Sequence, residues 1–352
     1  MASRGVVGLD IGTAGVRAAE VSVGAKGALT LQRFGQVGLP LGAVVNGEVV
    51  NVDAVAAAIK QLWGSVKFSS KKVVVGVANQ KVVVRVVDLP WLTEKELRKT
   101  LGLQVADVIP MPIEQAIVDF HPLEEFISEQ GTRVRRVMLV AAVRQMVDTT
   151  LSAIRKAGLD PVMVDLTSFA VLRTLARGSG SGWSTQAEAF VDIGASVTNI
   201  VVHEGGVPRF VRILPSGGGD ITGAVGERMG VPFEEAEAVK QSLGVDPAAA
   251  GHPAARVVET ASSTWVEEVR GSLDYYLAQP GSPQLRRIVV SGGGSRLHGL
   301  MNRLAMATRM EVVAASPMAS LQIGKTGLTD EQLRYVEPQV VVPLGLALGR
   351  AS

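Results

Sequence analysis

The sequence predicts an α/β protein built from two similar halves. At 352 residues the chain is too long for one simple core and suggests about two domains. Valine-rich runs and many glycines alternate with helical patterns, as expected where strands are buried on both faces of a sheet. A motif also recurs: an apolar strand runs into Asp10-Ile11-Gly12-Thr13-Ala14-Gly15, and another runs into Asp192-Ile193-Gly194-Ala195-Ser196-Val197.

The first half opens with a strand over 6–10. Strands over 17–23 and 29–35 follow across tight turns, an antiparallel start to a mixed sheet. Asp53 is placed to cap a helix running through Trp63. Valine-rich strands at 72–78 and 81–88 flank Asn79-Gln80, a hairpin signal. Thr93-Glu94-Lys95-Glu96 is a capping box that starts a helix, and the Pro110 and Pro112 stretch ends it. Residues 116–123 read as a strand, 124–132 as a polar turn and 135–143 as the next strand. The segment 82–134 is expected to be a small subdomain inserted between two parts of the first domain, 1–81 and 135–178. A helix at 145–157, a strand at 161–165 and a helix at 167–176 complete that half.

Gly178-Ser179-Gly180-Ser181-Gly182 is the expected linker. The opening order then returns in a second domain, 179–352: strand 189–192, the D-I-G turn, strand 199–203, turn Glu204-Gly205-Gly206 and strand 208–214. Ser216 to Asp220 opens a helix to Met229, and a charged helix spans 232–242. Residues 254–277 form a long amphipathic helix whose apolar stripe includes Val258, Trp265, Val269 and Leu273 and reads as a core face. An outer subdomain of about 216–285 is expected. A strand at 287–290 runs into Ser291-Gly292-Gly293-Gly294-Ser295, ahead of a helix at 297–307. The internal repeat matters more than either motif, because a duplicated domain with the same loop facing inward makes a clamp.

Composition excludes several functions. Formal net charge is +2 with no long basic block, which argues against a nucleic-acid footprint. There is no cysteine, hence no disulfide frame, thiolate metal site or cysteine nucleophile. The apolar runs at 137–143 and 340–348 fall well short of the roughly 20 residues that span a bilayer. The four histidines share no metal-ligand spacing, and no P-loop or nucleophile elbow occurs.

What remains is the chemistry of the turns. Glycine-rich turns expose backbone N–H groups and let a phosphate approach closely. Asp10 and Asp192 suit a divalent cation held largely through water, and Thr13, Ser196 and Thr198 carry hydroxyls that donate to phosphate. The Gly292-Gly293-Gly294 turn is a flat shelf suited to a purine face or a phosphate. One D-I-G alone is equally an ordinary strand end, and Gly217-Gly218-Gly219 is equally a helix entry. The nucleotide cleft rests on the conjunction of both turns with the late glycine shelf.

This order of motifs resembles the actin, Hsp70 and sugar kinase superfamily, with two phosphate loops and an adenosine motif. Within it the chain is similar to the PilM family, actin-like proteins of type IV pilus machines related to the division protein FtsA. The similarity is carried by Gly8-Leu9-Asp10-Ile11-Gly12, Asp88-Leu89-Pro90, Ile109-Pro110-Met111-Pro112-Ile113-Glu114, Asp192-Ile193-Gly194-Ala195-Ser196, Glu235-Ala236-Glu237-Ala238-Val239-Lys240 and Leu344-Gly345-Leu346-Ala347-Leu348. The resemblance implies a duplicated actin-like (ribonuclease H-like) α/β fold, two lobes around a nucleotide cleft, with an FtsA-like insertion. It implies ATP and Mg²⁺. Gly12, Thr13, Gly194, Ala195 and Ser196 would hold phosphates, with Asp10 and Asp192 near the metal, mostly through water. Gly218, Glu237, Lys240, Gly292, Gly293 and Gly294 would lie along the adenosine and ribose.

The resemblance also implies partners. The first is the short cytoplasmic N-terminal peptide of the membrane protein PilN, expected in the groove between the first domain and the insertion. Other pilus platform and motor proteins follow, with a ring or homo-oligomer. The implied location is cytoplasmic, at the inner face of the membrane through partners and without direct insertion. Two departures stand out. Phe169 sits where hydrolases of this superfamily place a Gln or Glu to position water, so ATP binding with slow or absent hydrolysis is expected. Thr13-Ala14-Gly15 replaces a serine-richer turn. An FtsA-like division protein is one rival, disfavoured because the chain stops at Ser352, soon after the 344–350 segment, where FtsA relatives continue into a membrane helix. A small-molecule kinase is the other; it would need a carboxylate base, for which Asp165 and Asp220 are the candidates.

Overall fold

The computed structural model describes residues 6–24, 27–178, 186–246 and 251–349. The expected linker glycines and serines at 179–182 lie outside the described residues. β1 (Val7–Ile11), β2 (Gly15–Val23) and β3 (Leu29–Gly38) pair antiparallel in succession. A two-residue ladder, β4 (Val44–Val45) with β5 (Glu48–Val49), leads into α1 (Val52–Val66). Asn51, not Asp53, caps α1: the Asn51 side chain accepts the Ala54 N–H at 3.0 Å, and Asp53 lies in the first turn, where its charge favours the helix dipole.

β6 (Lys72–Val77) pairs in parallel with β1, while β7 (Val82–Pro90) belongs to another sheet. The Asn79-Gln80 hairpin predicted from sequence therefore does not form. Asn79 is buried; its side chain accepts the Lys81 N–H at 2.8 Å and donates to Met146 Sδ. That turn carries the chain from one sheet to the next. α2 (Glu94–Val105) starts at the predicted capping box, with Thr93 and Glu96 bonded reciprocally. β8 (Ala116–Ile127) and β9 (Arg133–Val143) complete a sheet of order β7-β9-β8 over a core that includes Leu97, Leu101, Phe120 and Leu139. β8 continues through Glu124 to Ile127, where composition predicted a polar turn. The charges are cross-strand partners: Arg136 meets Glu124 and Arg135 meets Glu125, each at 2.6 Å. Because β9 lies between β7 and β8, this sheet reaches Val143, past residue 134.

α3 (Arg144–Lys156), β10 (Asp160–Leu166) and α4 (Thr167–Leu175) follow. The second half then runs β11 (Ala187–Ile193), β12 (Thr198–Glu204), β13 (Val207–Leu214), α5 (Gly218–Met229), α6 (Phe233–Leu243), α7 (Ala255–Leu277), β14 (Leu285–Ser291), α8 (Leu300–Thr308) and β15 (Glu311–Ala314). Its sheet order, β13-β12-β11-β14-β15, matches β3-β2-β1-β6-β10 of the first half, and the antiparallel and parallel pairings correspond. The repeat is thus a duplication of topology. Both faces of β11 are covered: Ala189 and Val191 enter the core under α5 to α8, and Phe190 enters a core shared with α4. The predicted stripe on α7 faces the former core.

β16 (Gln322–Ile323) and α9 (Asp330–Leu348) return to the first half. β16 pairs in parallel with β3, and α9 lies on β1, β2, β6 and α4. Pro338 and Pro343 conceal this helix in the sequence. Glycines let it approach: a Cβ on Gly8 would lie 1.9 Å from the Pro343 oxygen, and one on Gly345 would lie 1.9 Å from the Ala170 oxygen. Gly345→Ala is therefore expected to destabilise the protein by about 1–3 kcal/mol or more, because two helix backbones must separate. In Gly271→Ala, where a methyl meets open space within α7, stability should instead rise by about 0.5–1 kcal/mol. Urea unfolding of the two variants checks both signs.

Candidate functional site

The two D-I-G turns end β1 and β11 in the same way. The Gly12 N–H bonds the Gly15 oxygen at 3.0 Å, and the Gly194 N–H bonds the Val197 oxygen at 2.9 Å. A Cβ on Gly194 would stand 2.7 Å from that oxygen, so the turn requires glycine. The turns meet: Thr13 Oγ1 and Ser196 Oγ lie 2.5 Å apart. Beside them the main-chain N–H groups of Thr13, Ala14, Ala195 and Ser196 have no partner among the described residues. Four free donors and two hydroxyls on facing turns suit phosphate oxygens.

The acidic strand ends form the floor. Asp10 Oδ2 accepts a hydrogen bond from Arg17 Nη1 at 3.2 Å, across a register that pairs the two residues. Burial pushes the Asp10 carboxyl up, against the opposing pull of Arg17. Asp192 accepts from Ser291 Oγ at 2.8 Å. Burial pushes its carboxyl up to about 6, opposed by the Ser291 hydrogen bond and assisted by the charge of Asp10. Two desolvated carboxylates within electrostatic reach of each other fit a divalent cation. Among the described residues no group of three or more His, Cys, Asp or Glu gathers to cage one, so water and phosphate would complete its shell.

The glycine shelf assembles around Ile193. Gly292 takes φ +81, and a Cβ there would lie 2.4 Å from the Ile193 oxygen; one on Gly294 would lie 2.5 Å from Ile193 Cγ2. Gly218 approaches Gly294 closely, with 3.6 Å between its Cβ position and the Gly294 Cα, and Gly293 faces the Gln339 amide. The N-terminus of α5 docks on the second turn, with the Gly218 N–H on the Gly194 oxygen at 2.9 Å and the Gly219 N–H on the Ala195 oxygen at 2.6 Å. Those donors are committed within the chain. Lys240 is buried and spends its ammonium on the Gly218 oxygen, Thr222 Oγ1 and Glu237 Oε2, at 2.9, 2.9 and 2.7 Å. Burial works against ionising Glu237, yet the hydrogen bonds from Lys240, Thr222 and Gln241 together hold its carboxyl below the usual range. Lys240 and Glu237 thus brace the wall through Gly218.

Other residues singled out in the sequence serve the scaffold. Thr198 is fully buried, accepting from Trp265 Nε1 at 3.0 Å and donating to the Ser216 oxygen at 2.7 Å, so its hydroxyl is not free for phosphate. Asp165 is pinned by Arg173 at 2.9 Å, and Asp220 accepts the Gly217 N–H at 2.7 Å at the start of α5. Phe169 packs near the His121 ring, 5.9 Å between centroids. Two site residues escaped the sequence reading, Arg17 and Ser291. Arg17 stands in the strand after the first turn, and strand register alone would have placed it opposite Asp10. A groove of about 470 Å³ lies elsewhere, between α3 and the inserted unit, lined by Glu114, Gln115, Arg144, Asp148 and Ser152.

Because its folded pKa lies above the ordinary aspartate value, Asp192 binds a proton in the folded protein between about pH 4 and 6 that the unfolded chain releases. Stability from this group is full below that window and is lost as pH rises through about 6. Asp192→Asn should flatten this slope and raise stability at pH 7 by on the order of 2 kcal/mol. Equal pH slopes for the two proteins in urea titrations would contradict the assignment.

Comparison with known proteins bears on the family and the fold. The sequence profile of the family described as "Type IV pilus assembly protein PilM" matches residues 8–351. A solved PilM-PilN type IV pilus biogenesis complex is 29% identical, covers 98% of each chain and superposes with a TM-score of 0.86. FtsA of Bacillus subtilis is 27% identical over 258 residues, 68% of this chain and 58% of that protein. MreB5 of Spiroplasma citri, solved bound to AMPPNP, shares the fold at a TM-score of 0.54 and 13% identity, over 99% of this chain and 97% of its own. With an actin-like duplicated fold and a family match over nearly its whole length, the chain belongs to the PilM family of type IV pilus assembly proteins.

Proposed function

We propose that this protein is an ATP-binding scaffold of the type IV pilus machine that also captures the cytoplasmic N-terminal peptide of a PilN-like membrane protein. In that role it links the inner-membrane platform to the motor from the cytoplasmic side. The observation that carries the nucleotide reading is the meeting of the two D-I-G turns at Thr13 and Ser196, above Asp10 and Asp192. The free N–H groups of both turns would hold phosphate oxygens, with Arg17 beside Asp10 supplying a fixed positive charge. Gly292 to Gly294 and the Gly218 wall would take the adenosine. Bound Mg²⁺ would neutralise the phosphates and the two buried carboxylates.

Three features support binding without efficient turnover. Phe169 can neither accept a proton nor orient water. Asp165 is held by Arg173, and Asp220 by its own helix start. The same commitments disfavour a kinase. ATP then acts as a conformational ligand, whose effect on a partner is limited to the difference in partner affinity between two states. The groove of about 470 Å³ beside α3 supports the peptide reading, since it lies between the first half and the inserted unit. Among the described residues no helix is long and apolar enough to cross a membrane, which fits attachment through a partner.

Labelled ATP is expected to bind the purified protein with Mg²⁺ and to be lost from folded Asp10→Ala and Gly194→Val variants, with almost no phosphate released. Rapid phosphate release would return an enzyme to consideration, and absent binding would leave the turns architectural. For the peptide, Ser152→Trp should fill the groove from its exposed rim. A tenfold or greater loss of affinity for a synthetic PilN N-terminal peptide, with ATP binding intact, is the expected result of calorimetry.

A further inference from the structure

The first-half sheet has an open edge. β16 pairs with β3 only at Thr30 and Leu31. The Gly324 N–H then bonds the Leu31 oxygen at 2.9 Å, and the chain leaves the ladder. From Arg33 to Gln36, β3 pairs with β2 on one side and with no strand on the other, among the described residues. In a strand paired on one side only, alternate N–H and C=O groups point outward unpaired, a template for another strand.

That open edge is the floor of a groove of about 850 Å³. The end of α1, with Ser65 and Val66, forms one wall; Leu328, ahead of α9, and Tyr335 and Val336 within it form the other. The walls stand on opposite faces of the sheet. A Cβ on Gly35 would lie 2.3 Å from Val66 Cγ2, whereas Phe34 shares a core with Val336. The groove is therefore bounded on both faces of the strand, so that a segment added to β3 would lie between α1 and α9. Its charges are balanced: Arg33 is paired with Glu20 at 2.8 Å, and Lys325 on the rim is offset by Glu331.

We propose that this groove docks an extended, aliphatic-rich segment of a partner polypeptide, which adds to β3 as a parallel strand in line with β16. Main-chain bonds to Arg33–Gln36, about 13 Å of strand, would supply the affinity. Alternate side chains would fall toward Val66 on one face and toward Leu328, Tyr335 and Val336 on the other. An uncharged apolar segment matches both walls. The unpaired edge calls for an extended segment, and one entering between the two walls comes as a tail or loop. This site is separate from the groove beside α3.

The test uses the full chain and a displayed library of short linear peptides, with selected peptides then titrated by fluorescence anisotropy. The expected winners are aliphatic-rich. Ser65→Trp and Lys325→Trp, on opposite walls and each checked for an unchanged melting temperature, should weaken them at least tenfold. Ser152→Trp, in the other groove, should not. Methylating every second backbone nitrogen of a peptide should cost at least tenfold in one phase and little in the other, as strand pairing demands. Failure to select any binder, indifference to both tryptophans, or equal effects of the two methylation phases would overturn the proposal. So would concentration-dependent dimerisation abolished by Ser65→Trp, which would assign the edge to a second copy.

Discussion

The structure depends on one helix that carries two prolines. A proline inside a helix removes an intrahelical hydrogen bond and costs roughly 3 kcal/mol in isolation. α9 contains Pro338 and Pro343, and donors from outside the helix reach its carbonyls along one stripe. The Tyr335 oxygen accepts from Arg296 at 3.2 Å, and the Pro338 oxygen from the Gly292 N–H at 2.9 Å. The Val341 oxygen accepts from Thr174 at 2.8 Å, and the Gly345 oxygen from Arg173 at 2.6 Å. The first two donors come from the glycine shelf of the second half and the turn that continues it, and the last two from α4. Arg173 also places positive charge at the helix C-terminus, where it is favourable. The helix that is weak alone is thus the element that fastens the shelf, α4 and the first sheet to one another.

Duplication sets the frame, and departures from symmetry set the chemistry. Both halves place an aspartate at the end of the first strand and a polar residue opposite it on the second. That residue is Arg17 in one half and Asn199 in the other. Arg17 reaches its aspartate, whereas Asn199 accepts from Ser168 on α4 and leaves Asp192 to Ser291. One side of the junction therefore brings its own cation, and the other holds a carboxyl with only a neutral hydroxyl bonded to it. The second half also lays α5 directly on its turn, which consumes the donors of that helix N-terminus. Among the described residues the first half has no such helix, and its turn is backed by the residue that follows β3, through the Leu39 N–H on the Ala14 oxygen.

The fold was legible because burial on two faces writes long valine runs, and because the repeated turn announces the duplication. The amphipathic stripe on α7 and the capping box of α2 were legible for equally local reasons. The misreadings come from interactions beyond any local window. Valine runs around Asn79-Gln80 look like one hairpin, yet local pattern cannot say that the two strands join different sheets. The charges at Glu124 and Glu125 read as a turn until the arginines opposite them are known. In the site, D-I-G and the glycine shelf were visible as backbone chemistry. The commitment of Thr198 to Trp265, and of Lys240 to Gly218, was not visible, since each depends on a partner tens of residues away or on a main-chain carbonyl.

The same packing bears on how a ligand could act at a distance. Cores of this density do not deform continuously, so a ligand between the turns must act by moving whole bodies. The chain crosses between the halves at two places, after β10 through α4 and after β15 on the way to β16. Both crossings lead into the α4 and α9 pair, which touch along their lengths and share the Arg173 and Thr174 bonds. α4 and α9 both pack on the first sheet and would move with it as one body, because Gly345 brings α9 against the α4 backbone with no room for a Cβ. The turns at Thr13 and Ser196 would then open or close, while the groove beside α3, built from first-half elements, kept its walls.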